Sequence, residues 1–534
     1  MNILNRIIEQ ASQTPDAPAI IQLHSLTPNG SGDEVHHSYF SLLQGIRALS
    51  HVIAAHDSHA LPDNTGQAVN RERALSPVGL IMGNSVEWVV ADLALLYANR
   101  VEVPVPLAFS VEQASWLLRD CDLILTDAIG QQQLERWQQR GLSLEATIIP
   151  VSFDSLSSLP SAPLAPPDAA QETIIKVIHT SGTTSHPKGV QIRRHGLDAL
   201  VDALWQRASQ GDYHRYLCLV PLSLLIEQVT AIYMPLTSGG AILLPPVTLP
   251  PLGSPGVQAV DRLSLIAAAR PTAMTLTPAL VEALAEKARN CTAENRLRSL
   301  FGHERLPLLA VGGAPVESEI LHGLNQLGIP VYEGYGLSEN SSVACWNYRG
   351  AHRIGTVGQP LPHVEIRLAD DGELCLRSTS LFAGYAGDDP SSCHVDADGW
   401  LHTGDIARQD DEGFISIVGR KKTMIITANG RNISPEWLET AYRSVPGVVA
   451  TIVFGDKRQF LGGIFIINDI SNADTIRDAI HDYARQHLNE LEQISDPILV
   501  PHHPDIMEQL FTVTGRPRRN MVADFLVNHE VTVG

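Results

Sequence analysis

The chain has 534 residues, too many for one hydrophobic core, and should divide into at least two domains. Hydrophobic residues make up 44%, which excludes wholesale disorder, and 58 acids against 38 bases leave a net charge of −20, a poor basis for non-specific nucleic-acid binding. Six cysteines (121, 218, 291, 345, 375 and 393) are scattered without a CxxC pair, and the 21 histidines form no HExxH or HxxxH pattern, so neither a disulfide framework nor a transition-metal site is expected. The stretch Met1 to Arg6 opens no apolar signal-peptide core, and no run of eighteen apolar residues occurs. A soluble cytoplasmic protein with no membrane span is the expectation.

Taken in order, residues 3–12 have the spacing of an amphipathic helix and Ser38 to Ala54 of a second. Val78 to Met82, Val101 to Val105 and Leu123 to Thr126 read as short strands, separated by helices over Glu87 to Ala98 and Val111 to Leu118. Strands alternating with helices predict an α/β layer, doubly wound around a largely parallel sheet. Ser152 to Ala170, rich in Ser, Pro and Ala, reads as a surface connector.

A strand-like run, Lys176 to Ile178, then enters Thr180-Ser181-Gly182-Thr183-Thr184-Ser185-His186-Pro187-Lys188-Gly189, and a second such run, Val190 to Ile192, leaves it. Four hydroxyls, small residues with accessible backbone N–H groups and one lysine are the parts needed to wrap nucleotide phosphates. The Walker pattern is not met, because Lys188 precedes a glycine rather than Ser or Thr. A shorter Ser/Thr/Gly cluster would only mark a turn.

Downstream, Tyr216 to Val220 is a strand ending at Pro221-Leu222-Ser223-Leu224-Leu225-Ile226-Glu227, whose leucines suit either an apolar pocket wall or plain core. Strands are predicted over Ala241 to Leu244 and Ala273 to Leu276, and a helix over Pro278 to Ala288. Leu308 to Val311 runs into Gly312-Gly313-Ala314-Pro315 and a helix over 316–327, the usual setting for a ligand at the carboxyl edge of a parallel sheet. Then follows Val331-Tyr332-Glu333-Gly334-Tyr335-Gly336-Leu337-Ser338-Glu339. Residues 353–419 read as short strands and turns that include Gly384-Tyr385 and Gly399-Trp400-Leu401-His402-Thr403-Gly404-Asp405, and Gly419-Arg420-Lys421-Lys422 closes the stretch. The remainder alternates helices (436–444, 473–489, 520–527) with strands (450–454, 463–467).

These motifs, in this order, resemble those of the adenylate-forming, AMP-binding superfamily: acyl-CoA synthetases, peptide-synthetase adenylation domains and luciferases. The likeness runs from the first helix to Arg519 and departs at Ser185, where glycine is usual. It implies a large N-terminal domain (1–419) of doubly wound sheets with a β-barrel-like part, and a small mobile α+β C-terminal domain (420–534). Thr180, Ser181, Gly182, Thr183, Thr184 and Lys188 would hold the phosphates of ATP. Gly313, Ala314 and Pro315 would back the adenine, and Glu333, Gly334 and Tyr335 would line the same nucleotide site with the Tyr335 ring on the base. Ser338 would bond the α-phosphate and Glu339 would bind Mg²⁺, since a hard cation takes carboxylate oxygen. Asp405 would accept from the ribose hydroxyls, and Arg420 would reach the ribose and phosphates. Lys422 would be a hinge, and the loop around Gly430 would form a pantetheine tunnel. Leu224 stands where histidine or an aromatic is common beside the acyl pocket, which hints at an aliphatic or aryl acid.

The implied reaction has two halves: a carboxylic acid and ATP give acyl-AMP, and the thiol of CoA or of a carrier protein's phosphopantetheine takes the acyl group. A further position breaks the pattern. Arg516 stands where the superfamily has the lysine that bridges carboxylate and α-phosphate, and the two cations are not interchangeable. Either Arg516 serves, or Arg518 or Arg519 helps. Otherwise adenylation is impaired and the protein acts in the thioester step alone or as a carrier-protein binder. An oxidative, luciferase-like use has no support in the sequence.

Overall fold

The computed structural model describes residues 2–26, 32–59, 76–158, 172–180, 187–250, 252, 257–387, 394–426, 432–455, 460–490, 492–511 and 517–528. Two compact units are distinguished: Met1–Ala314 with His322–Glu365 and Leu376–Leu401, and Pro315–Leu321 with Ile366–Cys375 and His402–Gly534.

In the first unit, Val78–Ile81 and Leu123–Thr126 are buried along their whole length. Strands covered on both faces are apolar throughout rather than alternating. They belong to a six-stranded sheet in the order Thr147–Pro150, Leu123–Thr126, Val78–Ile81, Glu102–Pro104, Ile174–Thr180, Lys188–Arg193. Neighbours are parallel up to Ile174–Thr180, and the last pair is antiparallel. Helix Val111–Leu118 packs Ala114, Leu117 and Leu118 onto this sheet beside Ile81, Val103 and Ile124. Its capping box, Ser110 with Gln113, fixes where it starts.

A second, nine-stranded sheet runs Gln359–Pro360, Ser342–Trp346, Tyr332–Leu337, Leu308–Gly312, Ala273–Leu276, Arg215–Leu217, Ala241–Leu244, Pro18–Leu26, Gly32–Ser38. Its middle is parallel and its edges antiparallel. The doubly wound α/β expectation holds. The hairpin Pro18–Leu26 with Gly32–Ser38, the helix Ala128–Gln139 and the strand Thr147–Pro150 add to it. The connector expected from residue 152 begins with a helix, Phe153–Ser157, that buries Phe153 and Leu156.

Lys176 lies in the middle of Ile174–Thr180 and is fully buried. Its ammonium bonds Asp92 and Glu102, both equally buried, and Tyr233 Oη donates to Asp92 at 2.9 Å. Burial works against the Lys176 charge, but the two carboxylates outweigh it and hold the ammonium above its usual value. Burial also pushes the Glu102 carboxyl up, to about 8, against the pull of Lys176.

In the second unit, Leu461–Ile467 is the centre of a three-stranded sheet between Val448–Phe454 and Ile494–Pro501. Successive side chains point to opposite faces. Val453, Phe465 and Ile467 therefore join one core with Leu438, Tyr442 and Ile480, while Ile452, Ile464 and Ile466 join another with Leu510 and Phe525. Four further strands, Val364–Leu368, Glu373–Ser378, Leu401–Gln409 and Ile415–Arg420, form a sheet in chain order, where sequence predicts short strands.

Candidate active site

Thr180 and Lys188 face each other at the end of the antiparallel pair Ile174–Thr180 and Lys188–Arg193. This pair is the stem of the hydroxyl-rich loop; Ser181, Gly182, Thr183 and Thr184 lie outside the described residues. Gly189 leaves no room for a side chain, since a Cβ there would sit 2.7 Å from Val177 Cγ1. On the other flank, Ala383 to Ala386 runs along Lys188–Arg193: Ala383 N–H donates to Gln191 O, Gln191 N–H to Gly384 O, and Ala386 N–H to Gly189 O at 2.7 Å. Tyr385 bridges to Val190 within this run.

Two sequence-predicted groups meet at Tyr385. Lys188 Nζ lies 4.7 Å from the centre of its ring, and its hydroxyl donates to Glu339 Oε1 at 2.9 Å. Phe382 meets the same ring edge-on at 5.0 Å. Tyr385 was not among the predicted site residues; the signal for it was the Gly384-Tyr385 pair.

Glu339 sits on a single tight turn, Ser338–Asn340, between the antiparallel strands Tyr332–Leu337 and Ser342–Trp346. The turn is held from several sides. Glu339 O accepts from Phe382 N–H, Ser341 Oγ donates to Ser380 O at 2.7 Å, and Asn340 is wholly buried. Ser341 and Ser342 have φ of 53° and 112°, values that non-glycine residues adopt only under constraint, often at functional sites. Gly336 is obligatory, because a Cβ would fall 1.8 Å from Ser342 O.

Glu333, Gly334 and Tyr335 lie on Tyr332–Leu337, with Gly334 beside Gly312 of the parallel neighbour. Gly313 takes φ of 82° in the turn that follows, and Gly313, Ala314 and Pro315 are exposed there. Pro315 is sorted with the second unit. Ser338 is half-buried next to Glu339.

Leu222 and Leu225 are buried whereas Leu224 is 46% exposed, so the leucine run is part core and part surface. Glu227 behind it is fully buried, and Tyr216 Oη donates to its carboxylate at 3.1 Å. Burial pushes the Glu227 carboxyl up to about 8. A π-helix, Gln228–Tyr233, follows at once, a feature frequent at functional sites.

In the second unit, Asp405 is buried on Leu401–Gln409 opposite Arg420, whose Nε lies 2.7 Å from Asp405 Oδ1. Thr403 and Gly404 shape the approach: Thr403 Oγ1 donates to Leu374 O, and Gly404 N–H donates to Glu373 Oε1 at 2.9 Å. Burial would raise the Glu373 carboxyl, but Lys421, Gly404 N–H and His402 together hold it below the usual range. Lys422 is exposed in a turn after Ile415–Arg420. Gly430 and Arg516 lie outside the described residues. Arg519, a candidate helper for Arg516, is committed elsewhere: it grips Glu439 with both terminal nitrogens, at 2.7 and 2.9 Å.

Among the described residues no group of three or more His, Cys, Asp or Glu could hold a metal ion, and no helix is long and apolar enough to cross a membrane. Glu339 nevertheless offers carboxylate oxygen of the kind Mg²⁺ takes when phosphates complete its shell.

The family model described as AMP-binding enzyme matches residues 7–386, most of the chain and all of the first unit's site. The chain belongs to the AMP-binding enzyme family. Among curated AMP-binding relatives it is similar to the long-chain-fatty-acid–CoA ligase FadD15 of Mycobacterium bovis, with 28% identity over 447 residues covering 72% of this chain and 71% of that protein. It is also similar to the long-chain-fatty-acid–CoA ligase ACSBG2 of Xenopus laevis, 26% identical over 74% of this chain and 63% of that protein. These relatives are acid–thiol ligases by name.

Solved structures share this fold over nearly the whole chain. The anthranilate CoA ligase AuaEII in complex with anthranoyl-AMP superposes with a TM-score of 0.76 at 19% identity, covering 98% of this chain and 97% of that one. The o-succinylbenzoate CoA synthetase MenE of Bacillus subtilis, in complex with ATP and magnesium, gives 0.73 at 19% identity over 97% and 99%. Below 25% identity such likeness fixes the fold.

Proposed function

We propose that this protein activates a carboxylic acid with ATP as acyl-AMP and passes the acyl group to the thiol of CoA, in the cytoplasm. The observation that carries the reading is the meeting of Lys188 and Glu339 on Tyr385 at the stem of a hydroxyl-rich loop. A cation and a carboxylate fixed side by side are what a metal-bound triphosphate needs. The relatives' names favour a long-chain fatty acid, and the exposed Leu224 beside buried leucines suits an apolar chain. An aryl acid and a carrier-protein thiol are the other substrates to be tested.

In this reading Thr180, Ser181, Gly182, Thr183, Thr184 and Lys188 hold the β- and γ-phosphates. Ser338 bonds the α-phosphate, Tyr335 lies on the adenine between Gly334 and the Gly313-Ala314-Pro315 turn, and Glu333 lines the same strand. Asp405 and Arg420 take the ribose. Glu339 would hold Mg²⁺, which when bound would offset phosphate charge. Lys188 neutralises the pyrophosphate as it leaves, and Arg516 neutralises the carboxylate and α-phosphate as they join. Holding both anions in line supplies the proximity. Residues 420–534 act as a domain that turns about Lys422 between the two half-reactions, exchanging the Arg516 loop for the Gly430 loop.

Incubation of the purified protein with ATP, Mg²⁺, CoA and either a long-chain fatty acid or an aryl acid tests this. Mass spectrometry should find AMP and the acyl-CoA in equal amounts, with the fatty acid preferred. ADP as the nucleotide product, or AMP formed equally well without acid, would overturn the reading.

A further inference from the structure

We infer that Tyr385 is a positioning residue with two separable tasks: its hydroxyl orients Glu339 toward the metal, and its ring seats Lys188 toward the phosphates. This inference rests on the proposed reading of the site and deepens it.

Gly384 has φ of 133°, and the flanking hydrogen bonds to Gly189 and Gln191 lock residues 383–386 alongside Lys188–Arg193. Tyr385 therefore cannot move without the stem of the loop. Phe382 braces its ring from the side. The ring presents its face to the Lys188 ammonium and its hydroxyl to Glu339 Oε1. A long, flexible lysine side chain loses rotamer freedom on binding phosphate, and a ring that already confines it lowers that cost.

The hydroxyl acts differently. An outer partner that bonds one ligand oxygen fixes the carboxylate's orientation, and loss of such partners typically costs about 10- to 100-fold in metal affinity or activity. Glu339 is only half-buried, so without the phenol its side chain has room to turn away. A single aromatic residue thus couples two groups that are 151 positions apart in the chain, residue 188 and residue 339.

The test is calorimetric binding of α,β-methylene-ATP to the full chain, with Mg²⁺ and separately with EDTA, for the parent, Tyr385→Phe and Tyr385→Leu. Tyr385→Phe keeps the ring and should bind about 10-fold more weakly with Mg²⁺ but like the parent in EDTA. Tyr385→Leu should be weaker in both conditions. Circular dichroism melts of the three proteins serve as the control for folding. Equal binding of Tyr385→Phe and parent with Mg²⁺, or an equal loss in Mg²⁺ and EDTA, would overturn the inference while leaving the site reading intact. A parent that binds no nucleotide in either condition would overturn the reading and the inference with it.

Discussion

Arg420 Nε lies 2.7 Å from Asp405 Oδ1 across the facing strands Leu401–Gln409 and Ile415–Arg420. Asp405 is buried and Arg420 about half exposed, so the carboxylate is fixed and the guanidinium is the partner with freedom to move. Asp405→Asn keeps the shape and removes the charged acceptor. A hydrogen bond to a charged group contributes about 1.5–3 kcal/mol, so KM for ATP should rise about 10- to 100-fold. Stability should change by less than about 1 kcal/mol, since a half-exposed pair contributes little. Steady-state kinetics at varied ATP checks the first figure and urea unfolding the second.

Lys176 lies within the stem of the hydroxyl-rich loop, with Asp92 and Glu102 as its buried partners. Lys176→Met leaves the buried Asp92 and Glu102 side chains without the ammonium they share. Removing one member of a buried ionic set costs about 3–5 kcal/mol. Urea unfolding should report a loss of that order, and a loss below about 1 kcal/mol would show that the set is not ionic.

His179, in the stem, and His363 are held at about 4 from an ordinary 6.5, both by burial and His179 also by Arg119. Their folded values lie below the unfolded one, so the unfolded chain takes up protons first as pH falls. Their stabilisation is complete above the ordinary value of 6.5 and is withdrawn toward 4. Each histidine contributes a slope of up to about 1.4 kcal/mol per pH unit in that window. His363→Phe should therefore lose less stability than the parent between about pH 7.5 and about pH 5, as read from urea midpoints.

In the proposed reading Arg516 and Lys422 serve different half-reactions. Arg516→Ala should lower acid-dependent pyrophosphate exchange by about 100-fold or more, the scale of losing one charge-stabilising group. Arg516→Lys should retain the exchange. Lys422→Pro should slow thiol acylation from preformed acyl-AMP more than it slows exchange; equal losses would argue against a hinge there.

Much of this site was readable because its motifs are local. Gly334 to Glu339 and Gly399 to Asp405 each occupy one strand and the turn next to it, and the strand–glycine turn–helix at Leu308 to Gln326 needs no distant partner to be seen. What escaped notice depends on long-range contact. The Ile494–Pro501 strand carries Pro497 and Pro501, which argue against a strand, yet it lies at a sheet edge where a missing N–H is tolerated. Pro18–Leu26 buries the consecutive pair Ile20 and Ile21 because it pairs with Ala241–Leu244, so it shows no alternation to read. Lys176 reads in sequence only as the start of a strand-like run; its partners Asp92 and Glu102 are 84 and 74 residues away. Tyr385 belongs to a local Gly-Tyr pair, but its contacts with Lys188 and Glu339 come from segments far from it in sequence. Arg519 looked available and is held by Glu439, 80 residues distant.

The account turns on a nucleotide seated between Lys188 and Glu339. Exchange of labelled pyrophosphate into ATP, dependent on a long-chain fatty acid and Mg²⁺, measures that seat most directly when the parent is set beside Glu339→Gln. The account predicts exchange in the parent and a loss of about 100-fold or more in the variant, with the Mg²⁺ requirement shifted upward. Undiminished exchange in Glu339→Gln, or none in the parent with any acid, would contradict it.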